Sequence, residues 1–237
     1  MTRSALLAHV ARSLEDHPAR AAQRVLKVAI DGVDGAGKTH FADELARVLT
    51  ASSVPVIRAG TDGFHHPRAR RYEQGRSSPE GFYHDSYNYP ALREMLLGPL
   101  GPDGDGLYRT AGFDVSTDQP LTLASAQASH GSVLVLDGLF LHRPELRDEW
   151  DASVFLRVPF AVSIPRGASR GEGYGSPDPA AASNARYIGG QRLYFAEAKP
   201  EQHATFLIDN TDLSAPIVLR PHLTRTMSHA RTSSRSE

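Results

Sequence analysis

The chain has 237 residues, of which 40% are hydrophobic and 22% charged, with a formal net charge of −1. That length supports one α/β domain, alone or with a small lid or insert, and the near-neutral balance argues against a nucleic-acid or membrane surface. Cysteine is absent, so no disulfide frame and no thiolate metal site is expected, in agreement with a cytoplasmic location. No window has the length of a membrane span, and the acids close behind the first short apolar run argue against a signal peptide.

Leu6, Leu7, Val10 and Leu14 fall on one helical face, which predicts an amphipathic helix over residues 4–16 ended by His17-Pro18. Residues 26–30 (LKVAI) read as a buried strand. They run into Asp31-Gly32-Val33-Asp34-Gly35-Ala36-Gly37-Lys38-Thr39, which matches G-x-x-x-x-G-K-[ST]. Phe41, Leu45, Val48 and Leu49 then recur at helical spacing. Strand, glycine loop and helix form the context in which backbone N–H groups and a helix N-terminus converge on a polyphosphate. Lys38 is expected to reach the β- and γ-phosphates of ATP, and the Thr39 hydroxyl to ligate Mg²⁺. Gly32, Asp34, Gly35, Ala36, Gly37 and His40 complete the expected loop contacts.

Residues 54–59 (VPVIRA) predict a second strand, closing at Thr61-Asp62-Gly63. Residues 65–89 are polar and rich in Arg, His and Tyr, as in a long functional loop with a short helix. Residues 91–97 read as helical, and 98–106 (GPLGPDGDG) as a turn-rich break. Residues 107–114 and 120–123 are expected to pair as a small hairpin. Four further strands are expected at 133–137 (VLVLD), 153–158, 205–208 and 217–219. Strands alternating with helices predict a parallel sheet with helices on both faces. The polar, slightly basic end from residue 221 is expected to be flexible, its Arg225, Arg231 and Arg235 solvated.

Two carboxylates fall at expected carboxyl ends of strands. Asp137, followed by Gly138, is placed to hold Mg²⁺ beside the loop, directly or through water, the alternative being a strand-end Asp that caps the next turn. Asp62 is placed either as a base for an acceptor hydroxyl or as a turn former before Gly63. Arg166 and Arg170 are four apart and would share a helix face, closing over a transferring phosphoryl group or standing in solvent. Pro165 either weakens that helix or occupies its first turn. The run 171–179 (GEGYGSPDP) has the composition of a mobile lid. His65, His66 and His84 carry no metal-ligand pattern and read as surface or substrate-loop residues.

From about residue 25 to 212 the chain resembles the uridine kinase-like, phosphoribulokinase-like branch of the P-loop small-molecule kinases. AIDGVDGAGKTHFADELA is similar to the opening of that family, and Thr61-Asp62-Gly63-Phe64-His65 to its D-x-F-Y segment. PEGFYHDSYNY, VLVLDGLFL, ARYIGGQRLY and FLIDNTD resemble its substrate loop, its strand with an acid, its lid helix and the strand before its adenine pocket. The resemblance implies Asp62 as catalytic base and an ATP contact at Asn210. It also implies acceptor contacts at Asp62, Tyr83, His84, Asn88, Tyr108, Arg109 and Arg186. Asn88 stands where members acting on uridine and cytidine carry Asp, Arg186 replaces a substrate-contacting Gln, and Tyr108-Arg109 departs from the family's Y-D-F-x-x-H-type segment.

The organisation implied is one kinase domain over 1–220, with a substrate insert at about 62–125, a lid at about 160–198 and a tail at 221–237. Its expected partner is a small-molecule acceptor, nucleoside-like first; another small alcohol, such as a sugar phosphate or pantothenate-like molecule, stands second. A non-catalytic ATP-binding homologue is the rival reading, and a homo-oligomer stays open. A GTPase is disfavoured, because none of Lys27, Lys38 and Lys199 lies in an N-K-x-D motif.

Overall fold

The computed structural model describes residues 1–21, 24–171 and 175–220. Helix α1 (Arg3–Glu15) starts where the Thr2 hydroxyl accepts the Ala5 N–H, and it buries the anticipated Leu6, Leu7, Val10 and Leu14. A short turn, α2 (Pro18–Ala21), leads into β1 (Leu26–Gly32), then α3 (Lys38–Ala51) and β2 (Val56–Gly60). Three short helices follow, α4 (Arg68–Arg71), α5 (Pro79–Asp85) and α6 (Tyr89–Leu92). The insert then contributes four two-residue strands, β3 (Leu107–Tyr108), β4 (Phe113–Asp114), β5 (Gln119–Pro120) and β6 (Ala126–Gln127). Strands β7 (Val133–Asp137) and β8 (Ala152–Arg157) return to the core. Helices α7 (Phe160–Ala168), α8 (Ala185–Ala198) and α9 (Pro200–His203) precede β9 (Phe206–Asp209) and β10 (Ile217–Arg220).

The main sheet has the order β10-β9-β8-β1-β7-β2, parallel throughout except for β10 on β9. Alternation sorts its side chains into two layers. Val28, Ile30, Val133, Val135, Val154 and Leu156 pack with α1 and α3. Ala29, Leu134, Leu136 and Phe155 face the other way, onto Phe64, Phe82, Tyr83, Phe140 and Tyr194. Both faces being covered explains why β1 and β7 read as almost unbroken apolar runs.

Register sets the functional edge. Asp137 pairs with Ile30 on one side and with Gly60 on the other. The carboxyl ends of β1, β7 and β2 are therefore level, and the glycine loop, Asp137 and Asp62 emerge on one rim.

The insert pairs differently from the expected single hairpin. Phe113 and Asp114 do pair with Pro120 and Gln119, but Leu107 and Tyr108 pair with Gln127 and Ala126. Asp114 forces the tighter inner turn. Its carboxylate accepts the Ser116 N–H and the Ser116 and Thr117 hydroxyls, and Asp118 takes a left-handed conformation at φ 59°. The expected helix at 91–97 is α6 followed by a π turn (Arg93–Leu97). The expected tail, and residues 172–174 of the expected mobile run, lie outside the described residues.

Candidate active site

The glycine loop joins β1 to α3. Gly35 and Gly37 take left-handed conformations, at φ 73° and 87°. A Cβ on Gly35 would stand 2.0 Å from the Ser163 carbonyl oxygen of α7, so the loop is pressed against the base of the expected lid. Gln191 of α8 accepts the Asp34 N–H at 2.8 Å, and Asn210 donates to the Ala36 carbonyl at 2.8 Å. These contacts shape the curl without occupying its mouth. There the first N–H groups of α3 lack intrahelical acceptors and present a positive helix end.

The Lys38 ammonium is buried and donates to the Val33 carbonyl at 2.9 Å. Burial holds its pKa below the ordinary value, against the opposing pull of Asp34, Asp31, Asp137 and Asp62. A polyphosphate in the loop would supply the counter-charge that this lysine lacks. The Thr39 hydroxyl lies 2.7 Å from Asp137 Oδ2. Two hard oxygen groups so placed fit a Mg²⁺ ion that takes its remaining ligands from phosphates and water. Among the described residues no group of three or more His, Asp or Glu side chains is arranged to hold a metal ion.

A cleft of about 250 Å³ opens at this rim, walled by Asp34, Lys38, Thr39, Gly60, Asp62, Tyr87, Asp137, Gly138, Leu139 and Arg170. Asp62 lies in a single turn of 3-10 helix (Thr61–Phe64) after β2, its side chain 80% exposed to the cleft. His65 Nδ1 is 3.1 Å from the Asp62 carbonyl oxygen and 3.9 Å from its carboxylate. Burial holds the His65 pKa down more than the carboxylate raises it, so the imidazole is neutral near pH 7 and leaves Asp62 unpaired. The Tyr87 ring stands against His65, centroids 4.5 Å apart, and its hydroxyl is kept protonated by burial and by Asp62.

Several anticipated residues sit elsewhere. Pro165 lies inside α7 and not in its first turn, and α7 ends at Ala168. Arg166 and Arg170 therefore share no helix face. Arg170 lines the cleft, whereas Arg166 donates to the carbonyls of Asn210 and Thr211 at 3.3 and 2.8 Å. Arg186 is also spent on backbone, reaching the carbonyls of Arg71, Gly75 and Ser78 at 2.9 to 3.1 Å while covering the rings of Tyr72 and Phe82. It ties α8 to the segment 71–78 instead of facing the cleft. Asn88 caps α6 by accepting the Ala91 N–H. Tyr83 is buried beneath the Arg143 guanidinium, and His84 is exposed on the surface. His40 is likewise exposed, at the start of α3. Tyr108 and Arg109 belong to the insert, where the Arg109 N–H bonds the Met95 carbonyl.

A buried network at the root of the loop had no sequence signal. Asp31, fully buried, accepts from the Gly32 N–H at 2.7 Å and the Tyr194 hydroxyl at 2.5 Å, and it pairs with His142 Nδ1 at 2.7 Å. His142 Nε2 is 2.9 Å from the Ser153 hydroxyl. The spacing is that of a Ser-His-Asp triad. The Ser153 oxygen, however, is buried and also accepts the Thr205 N–H at 3.2 Å, so the array braces β1, β8 and α8 and offers no exposed nucleophile. With Gln191 on Asp34 and Tyr194 on Asp31, α8 holds the β1 side of the loop at two points.

A parallel sheet with this glycine loop between β1 and α3 is the P-loop fold. No family model matches the chain. It is 29% identical over 150 residues to a uridine kinase from Shewanella piezotolerans, covering 60% of this chain and 67% of the relative. The fold superposes with a TM-score of 0.61 on the structure of a possible uridine kinase from Bacillus stearothermophilus, at 20% identity over 83% of this chain and 97% of the other. Phosphoribulokinase from Rhodobacter spheroides gives a TM-score of 0.54 at 15% identity over 79% and 70%. Within the P-loop fold, the sequence is thus similar to a uridine kinase and the architecture to the structures of a possible uridine kinase and a phosphoribulokinase. Among the described residues no helix is long and apolar enough to cross a membrane.

Proposed function

We propose that the protein transfers the γ-phosphoryl group of ATP, with Mg²⁺, to a hydroxyl group of a small molecule, a nucleoside being the first candidate and another small alcohol the second. One observation carries this reading: the level ends of β1, β7 and β2 gather Lys38, Thr39, Asp137 and Asp62 around a single cleft. In this reading the loop N–H groups and Lys38 bind the phosphates, and Thr39 and Asp137 hold Mg²⁺, which neutralises charge on the transferring group. Asp62 accepts the acceptor's proton as the new O–P bond forms. Arg170 adds positive charge on the lid side, and α7 and α8 keep water away.

The 29% identity to a uridine kinase supports the nucleoside. The likeness in fold to a phosphoribulokinase keeps the second class open. A panel of nucleosides, sugars, sugar phosphates and pantothenate, assayed by ADP release with ATP and Mg²⁺, tests the proposal. One acceptor should raise ADP release well above both the acceptor-free rate and the rate of an Asp62→Asn variant. No stimulation by any member of the panel would count against the reading.

A further inference from the structure

Strand β2 brings one arginine to the rim where the divalent cation is expected. Arg58 is half-buried, and four of its five N–H groups donate hydrogen bonds. Nε donates to Asp43 Oδ1 at 2.9 Å, and Nη1 donates to the carbonyls of Ala59 and Val135 at 2.7 and 3.0 Å. Nη2 lies 2.9 Å from Asp137 Oδ1 and 2.8 Å from Asp43. A fork so committed cannot swing. It fixes Asp137 from one side while the Thr39 hydroxyl meets the other oxygen. Oδ1 is thus engaged by Arg58, and Oδ2 is the oxygen beside Thr39.

The charge balance matters as much as the geometry. A guanidinium in contact with a carboxylate cancels much of its attraction for a second cation, and the Lys38 ammonium repels that cation as well. The protein alone is a poor site for a divalent ion until phosphate oxygens add their charge. We propose that Arg58 is a positioning residue that holds Asp137 and weakens its pull on a free divalent cation, so that the ion arrives with the nucleotide and not ahead of it. This role rests on the kinase reading above.

Mn²⁺ serves as the probe, its binding followed by electron paramagnetic resonance, with and without a non-hydrolysable ATP analogue. The unaltered protein should bind Mn²⁺ tightly only when the analogue is present. In Arg58→Gln, Mn²⁺ affinity without nucleotide should rise by about tenfold or more. Arg58→Lys keeps the charge and loses the fork, and should stay within about threefold of the unaltered protein. Unchanged or weaker Mn²⁺ binding in folded Arg58→Gln overturns the proposal, and so does equal tightening in Arg58→Lys. If a melting curve shows Arg58→Gln to be unfolded, Asp43→Asn asks the same question. Released from Asp43, the guanidinium bears on Asp137 alone, and affinity without nucleotide should fall about twofold or more; unchanged or higher affinity refutes the role. Failure of Mn²⁺ to bind even with the analogue would refute the nucleotide–metal reading beneath it, and this role with it.

Discussion

Replacing Asp62 by Asn separates a base from a turn former. The Asp62 side chain is 80% exposed, and its carboxylate approaches one side chain, His65, at 3.9 Å. Because burial keeps that imidazole neutral, no ion pair is lost at neutral pH. The structural cost should be no more than about 0.5 kcal/mol, the scale of a weak exposed contact. For a chain of this size that corresponds to a fall in Tm of about 2 °C at most. The amide keeps the shape and removes the proton acceptor, so kcat should fall by about a hundredfold or more, about 2.7 kcal/mol of lost transition-state stabilisation. KM for the acceptor and Kd for an ATP analogue should change little, since the phosphate-binding loop is untouched. Steady-state kinetics with the acceptor found in the panel, isothermal titration with the analogue and a melting curve supply the three readings. A kcat within about threefold of the unaltered enzyme refutes the assignment. A Tm lowered by more than about 4 °C together with parallel losses in binding and rate would refute it too, since that is how a turn residue behaves.

Lys38→Met should abolish transfer while leaving Tm unchanged or higher, because a buried ammonium held below its ordinary pKa disfavours the folded state. The sign follows from linkage: between the folded-state pKa and the ordinary 10.5 the unfolded chain binds more protons. The unaltered protein should therefore gain stability relative to Lys38→Met as pH rises through that window, and a relative loss in denaturant titrations would contradict the argument. Arg186→Ala strips three carbonyls of their donor and should destabilise by about 2–4 kcal/mol. Limited proteolysis should then cut the segment 71–78 faster and acceptor KM should rise, and an unaltered KM would restore a purely structural account. His142→Phe leaves buried Asp31 short of a donor and should cost about 1–3 kcal/mol with weaker nucleotide binding; an unchanged Kd for the ATP analogue would show that the network does not act on the loop.

The sheet and its central loop were legible because their signals are local. An apolar run, two left-handed glycines and an amphipathic helix are consecutive, so the strand, loop and helix can be read from covalent spacing, while Gln191 and Asn210 brace the curl from elsewhere in the chain. The strand-end positions of Asp62 and Asp137 were readable for the same reason: an acid closing a strand of a parallel sheet stands on the ligand-binding rim whichever strand is its neighbour. The shared face expected of Arg166 and Arg170 fails because helical spacing was extended past a helix that stops at Ala168, although Arg170 still lines the cleft. Arg186 misled because resemblance transfers a position and not the contacts of a different side chain. The outer half of the insert was hidden by the strength of its inner turn.

What residue order determined by itself was the loop, the strands around it and the identity of the acids on their ends. Tertiary structure decided which groups those acids meet. Arg58 reaches Asp137 across 79 residues, and His142 reaches Asp31 across 111. Such contacts depend on β7 lying between β1 and β2 and on the register that makes their ends level. Neither strand order nor register leaves a periodicity along the chain, because both come from burying two apolar faces at once.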